Sequence, residues 1–195
     1  LGNSIETTKQ EGRKIFRNSW LLNSILTLVF ISVYTSIILD NLSEVVCLVF
    51  FKYMNVLVTG SAGFIGFHLS KRLLNDGFCV IGFDNVNSYY DRKLKEDRIS
   101  LLHEQSNNTN YSYKHINADI DSIIDVEDVF SKYKPVIVIN LAAQAGVRYS
   151  IDNPQAYINS NLIGFFNIIE CCRKFQINHL IYASSSSVYG CNTKI

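Results

Sequence analysis

The stretch Val56-Leu57-Val58-Thr59-Gly60-Ser61-Ala62-Gly63-Phe64-Ile65-Gly66 decides how this chain folds. Four residues with β-branched or aliphatic side chains end in a turn whose glycines recur every third position, at 60, 63 and 66. Beyond it Ile65, Leu69, Leu73 and Leu74 return at helical spacing. The pattern predicts a strand over 55–59, a tight turn, and a helix over 64–74. Asn75-Asp76-Gly77 closes that helix, with Gly77 as the C-terminal cap. A turn that approaches a ligand backbone-first has no room for Cβ atoms, and the helix behind it aims its free N–H groups and dipole at that ligand. A phosphate is the group such a turn is built for.

Outward from this stretch, strands and helices alternate. Cys79–Phe83 reads as a second strand and 93–102 as a helix, followed by a polar loop over 103–110. Tyr111–Asn117 reads as a third strand, 123–133 as a helix, and Val136–Asn140 as a fourth strand after Pro135. That fourth run is apolar without a break, as expected of a strand covered on both faces. A long helix over 157–175 and a fifth strand over 180–183 complete the series. Strands each followed by a helix imply right-handed crossovers and a parallel sheet. The expected fold is α/β, a doubly wound sheet in the order 3-2-1-4-5, with the ligand crevice at the C-terminal ends of the strands.

Bulk properties agree with one packed domain. Of 195 residues, 48% are hydrophobic and 18% charged, which argues against disorder. A net charge of +1 leaves no footprint for nucleic acid. The five cysteines include no C-x-x-C pair, so neither a disulfide framework nor a metal site is expected. Residues 1–53 stand apart from the alternating pattern. An uncharged run covers 20–39, long enough to span a bilayer, with basic residues before it. Either this run is a membrane anchor, or residues 1–53 are translated upstream sequence and the functional protein starts at Met54, the only methionine. The second reading places the protein in the cytoplasm.

Asp84 ends the second strand, 18 positions beyond Gly66. A carboxylate there accepts hydrogen bonds from an adenosine ribose and repels a 2′-phosphate, which favours NAD over NADP. With Gly60, Gly63, Phe64, Ile65 and Gly66 in a Thr-Gly-x-x-Gly-x-x-Gly frame, the chain resembles the extended short-chain dehydrogenase/reductase family, the NAD-dependent sugar-nucleotide epimerases and dehydratases. The resemblance runs from Met54 to Ile195. It implies that Asp84 and Asn85 meet the ribose, and that Asp119 and Ile120 meet the adenine. It sets Leu141, Ala142, Ala143 and Gln144 beside the cofactor, with Asn161 near the nicotinamide. It makes Ser185, in Ser184-Ser185-Ser186-Ser187-Val188-Tyr189-Gly190, the catalytic hydroxyl, and gives Ser186 to the substrate. Within the family, Asp84–Asp91, Ala142–Ser150 and Ser187–Lys194 are most similar to UDP-glucuronate 4-epimerases, and the complete protein is expected to form a homodimer. Arg148, just past the cofactor loop, is the cation that would pair with an anionic sugar.

The family's Tyr-x-x-x-Lys pair is expected beyond Ile195, so the chain reads as the cofactor-binding part of a larger enzyme and as inactive alone. The one formal match, Tyr89 to Lys93, follows the wrong strand; Tyr89 and Tyr90 are expected to line the crevice instead. Dehydratases of the family place an acidic pair where this chain has Ser186 and Ser187, which disfavours that chemistry. Fractionation of cells expressing the chain with and without residues 1–53 separates the two readings of the N-terminal stretch. Membrane recovery that depends on residues 1–53 identifies an anchor. Recovery of both forms in the soluble fraction removes it.

Overall fold

A computed structural model of the chain describes residues 54–109, 111–185, 188 and 190. The N-terminal run over 20–39 lies outside the described residues; among them no helix is long and apolar enough to cross a membrane. Five strands form one sheet: β1 Asn55–Thr59, β2 Cys79–Phe83, β3 Tyr113–Ile116, β4 Ile137–Asn140 and β5 His179–Tyr182. Their order is β3-β2-β1-β4-β5, all parallel, as the alternating pattern predicts. Between them run α1 (Phe64–Asn75), α2 (Arg92–Asn107) and α3 (Ile123–Tyr133). After β4 come two single turns, α4 (Tyr149–Asp152) and α5 (Pro154–Tyr157), then a π-helical segment (Ile158–Gly164) and α6 (Phe165–Lys174).

The strand side chains alternate between two cores, because successive residues of a strand point to opposite faces. Val56, Val58 and Val80 pack with Phe67 and Leu74 of α1 and Leu102 of α2. Leu57, Ile81 and Val138 pack on the other face with Val126, Val129 and Phe130 of α3 and Ile168 and Cys171 of α6. Both faces of the central strands are thereby sealed. Gly77, at φ +94°, follows the last turn of α1 and donates its N–H to the Leu74 carbonyl at 3.2 Å, the capping role read from sequence.

Three boundaries differ from expectation by more than one residue. The polar stretch after Leu102 is not a loop: α2 continues to Asn107. Its last turns are fixed by hydrogen bonds rather than apolar burial. Gln105 donates to the Lys71 carbonyl at 3.0 Å, and the Ser106 hydroxyl accepts from the Tyr113 N–H at 2.9 Å while donating to the Tyr111 carbonyl. Hydrophobic periodicity is blind to such contacts. The same Ser106 bonds trim β3, which starts at Tyr113 rather than Tyr111. The long helix begins earlier than expected, at Pro154, whose fixed φ suits a first helical position. It then loosens to π geometry over Ile158–Gly164, a form often found at functional sites.

His115 on β3 is partly buried, and neither ring nitrogen has a hydrogen-bond partner among the described residues. Burial pushes its pKa below 6.5; the Asp84 charge opposes this and His103 adds to it. The unfolded chain therefore takes up a proton that the native state refuses, so acidification through and below about pH 6.5 destabilises the fold. Denaturant midpoints measured from pH 7.5 down to pH 5 are expected to fall for the wild type. They are expected to fall less for His115→Gln, and equal slopes would remove His115 as the source.

Candidate functional site: a crevice at the strand C-termini

Thr59 and Gly60 close β1 against β4. The Thr59 hydroxyl donates to the Asn140 side-chain oxygen and accepts the N–H groups of Leu141 and Ala142 at 3.1 and 3.0 Å. Gly60 follows at φ +68°, and a Cβ on it would lie 2.9 Å from the Ala142 nitrogen. Its N–H donates to the Phe83 carbonyl at 2.7 Å. A Cβ on Gly66 would run into the Gly60 carbonyl, so the first turn of α1 folds down onto the glycine turn. Gly63 is the N-cap of α1 and no side chain caps that end. The helix N-terminus is thus left to an external acceptor, the arrangement that suits a pyrophosphate.

A cavity of about 430 Å³ opens at this end of the sheet. Every loop that follows β1 to β4 contributes to it: Gly60 and Gly63; Asp84, Asn85, Tyr89 and Tyr90; Asp119 and Ile120; and Leu141, Ala142, Ala143 and Gln144. Asn159 and Ser160 of the π-helical segment add a further wall. Asp84 is 7% exposed. Its Oδ2 accepts the Ala62 N–H at 3.1 Å and its Oδ1 the Val86 N–H at 2.9 Å, so one carboxylate ties the glycine turn to the β2 loop. Asn85 donates to Asp119 Oδ2 at 2.7 Å and links the β2 and β3 loops. Tyr89 packs against Tyr149 with ring centres 4.9 Å apart and ring planes tilted by 53°. Because β1 lies between β2 and β4, that contact joins the loops on either side of the glycine turn.

The sequence-predicted residues fall into two groups. Gly60, Gly63, Asp84, Asn85, Asp119, Ile120 and the four residues 141–144 meet at the cavity, and Tyr89 and Tyr90 line it as well. The others among the described residues do not line it. Phe64 and Ile65 are exposed on the first turn of α1, and Gly66 is buried beneath Gly60. Asn161 does not line the cavity: its amide accepts the Gln144 N–H at 2.8 Å and donates to the Gln144 carbonyl at 3.0 Å. It holds the β4 loop in place. Arg148 is exposed at the start of α4 and does not reach the cavity, although its neighbour Tyr149 does. Ser185 is exposed three residues past β5, and Ser186 lies outside the described residues. Several cavity residues escaped the sequence reading, among them Asn87, Tyr149, Asn159, Ser160 and Lys95. Lys95, 5% exposed, donates to Asn87 Oδ1 at 2.9 Å and lies 3.5 Å from Asp84 Oδ1. Its signal was its place in the helix: Lys95 shares the inward stripe with Ile99 and Leu102, where a lysine needs a partner.

The family described as GDP-mannose 4,6 dehydratase matches residues 57–195. This chain belongs to the NAD-dependent epimerase/dehydratase family. Protein CapI of Staphylococcus aureus is 51% identical over 140 residues, covering 72% of this chain and 40% of CapI. A probable UDP-glucuronate 4-epimerase of Rhizobium meliloti is 44% identical over 142 residues, 73% of this chain and 40% of its own length. Among solved structures, the Stenotrophomonas maltophila UDP-glucose-4-epimerase with bound NAD superposes with a TM-score of 0.61 at 26% identity, covering 73% of this chain and 40% of that one. The chain thus spans about two-fifths of the length of these relatives.

In this member of the family, Thr59 is the polar link beneath the site. Thr59→Val keeps the shape but leaves the Leu141 and Ala142 N–H groups without their acceptor. Unfolding measurements are expected to show a loss of about 2 kcal/mol or more, with Thr59→Ser recovering most of it. A valine variant as stable as wild type would mean that the link carries no weight.

Proposed function

We propose that this chain binds NAD and forms the cofactor-binding part of a cytoplasmic sugar-nucleotide 4-epimerase acting on UDP-glucuronate. The observation that carries the cofactor reading is the cradle at Gly60 and Gly66, where a Cβ on either residue would meet backbone, next to the Asp84 carboxylate. These residues fit a dinucleotide: the glycine turn and the α1 N-terminus would take the pyrophosphate, Asp84 and Asn85 the adenosine ribose, and Asp119 and Ile120 the adenine. Bound NAD supplies a reversible hydride acceptor. The chain's own residues do the positioning. Asn161 holds the Gln144 backbone so that the β4 loop keeps its shape beside the cofactor. Ser185, at the C-terminal end of β5, is assigned to the sugar 4-oxygen, where its hydroxyl would hold and pass a proton.

UDP-glucuronate is favoured within the family by two supports. One is the set of motifs Asp84–Asp91 and Ala142–Ser150; the other is that similar relatives include a protein named as a probable UDP-glucuronate 4-epimerase. Arg148, next in sequence to the cavity-lining Tyr149, is the proposed carboxylate partner. The complete protein is proposed to work as a homodimer.

The deciding experiment titrates the 195-residue chain with NADH and follows coenzyme fluorescence. Saturable binding is expected, weakened about tenfold or more in Asp84→Ala through the loss of charge-assisted hydrogen bonds. Absence of saturable binding by the wild type would overturn the cofactor reading. The same preparation is expected to leave UDP-glucuronate unchanged with NAD present. The chain's single Tyr-x-x-x-Lys match uses Lys93, which is exposed and outside the cavity. Formation of UDP-galacturonate would contradict this.

A further inference from the structure

The adenosine end of the cavity is not the lone negative site that Asp84 suggests in the sequence. The Lys95 ammonium sits 3.5 Å from Asp84 Oδ1, and both side chains are only 6% exposed. Asn87 accepts from the ammonium at 2.9 Å, and the Tyr90 ring centre lies 5.0 Å from it. Lys95 lines the cavity beside Asp84. One turn further along α2, Arg98 donates to the Ala62 carbonyl at 3.1 Å, with its guanidinium 5.9 Å from the centre of the Phe64 ring. Residues three apart share a helix face, so α2 presents two cations towards the glycine turn, and the Asp84 carboxylate meets one of them directly. The Ala62 backbone is held on both sides, its N–H by Asp84 and its carbonyl by Arg98.

This changes how the site discriminates between coenzymes. A ribose 2′-phosphate brings roughly −1.5 to −2 charge. At an uncompensated aspartate it would be rejected by repulsion alone. Here the repelling charge and an attracting charge lie within one buried pair, and what excludes the phosphate is that Asp84 occupies the ammonium. We propose that Lys95 is a specificity-determining residue for the 2′ position of the coenzyme. With Asp84 in place, the pair accepts a ribose hydroxyl. With the Asp84 charge removed, Lys95, backed by Arg98, receives a 2′-phosphate, and the site takes NADP. The inference rests on the NAD reading and names the residue that makes that reading selective. A buried ammonium left without its partner is costly, which gives the freed lysine a strong preference for a phosphate over an empty site.

The test titrates the 195-residue chain with NADH and with NADPH by coenzyme fluorescence. It compares wild type with Asp84→Asn, Asp84→Ser, Lys95→Met and the double variant Asp84→Asn/Lys95→Met, each checked for folding by thermal melting. Serine is included because it keeps an acceptor near the Ala62 N–H without an amide that could clash there. The wild type is expected to prefer NADH. Asp84→Asn or Asp84→Ser is expected to tighten NADPH binding about tenfold or more, the scale of a charge-assisted hydrogen bond. The double variant is expected to lose that gain. An equal gain in the double variant would assign the effect to lost repulsion and overturn the role of Lys95. No gain in either Asp84 variant, while wild type still binds NADH, would overturn it too and leave the NAD reading standing. Wild type binding neither coenzyme would overturn the NAD reading itself, and the specificity inference with it.

Discussion

The crevice depends on backbone meeting backbone where β1 and β4 end. Gly60 sits close enough to the Ala142 nitrogen that no side chain could stand between them. The Thr59 hydroxyl seals the contact by taking two N–H groups of the β4 loop and donating to Asn140. Thr59 is fully buried, so these bonds answer for polar groups that would otherwise be orphaned away from water. The two loops then leave the sheet at a fixed separation. The glycine turn folds α1 back over itself at Gly66, and the β4 loop runs outward to Gln144. The cavity is the space this geometry leaves open at the point where the strand order reverses.

Much of this was legible because it rests on patterns with few alternative readings. The alternation of Val56, Leu57 and Val58 between two cores follows from the period of a strand. The glycine triplet followed by an amphipathic helix left little freedom in how β1 leads into α1. What stayed hidden is polar. The extension of α2 past Leu102 depends on Gln105 and Ser106 bonding to distant backbone. The occupation of Asn161 by Gln144 depends on a contact across 17 residues of chain. Lys95 was a charged residue on an inward stripe, and only the fold reveals that Asp84 and Asn87 wait for it. Hydrophobic pattern reports which face is buried, and hydrogen bonds between distant loops leave no periodic trace.

The site's side chains are bound to one another before any ligand arrives. Asp84 holds the glycine turn and the β2 loop, Asn85 holds Asp119, Asn161 holds Gln144, and Tyr89 rests on Tyr149. Binding must order whatever is loose, and that ordering subtracts from affinity. Here the ordering cost falls on folding instead. The loops that would touch the cofactor are cross-linked in pairs, β1 with β2, β2 with β3, β2 with β4, and β4 with the π-helical segment. Together they define one shape for the crevice.

The same cross-linking gives the charge balance at Asp84 a structural role. A free aspartate at the tip of β2 would be solvated and mobile, and could swing to meet a ribose or turn away. Asp84 can do neither, since two backbone N–H groups and Lys95 fix both carboxylate oxygens. Its remaining acceptor capacity points where the pair allows, towards the cavity it lines. Lys95 therefore helps to hold the carboxylate in one orientation and offsets the charge that burial would otherwise penalise. In that arrangement the glycine turn, the Asp84 carboxylate and Lys95 form one connected unit: Asp84 joins the Ala62 N–H of the turn to the ammonium, and Arg98 of the same helix holds the Ala62 carbonyl.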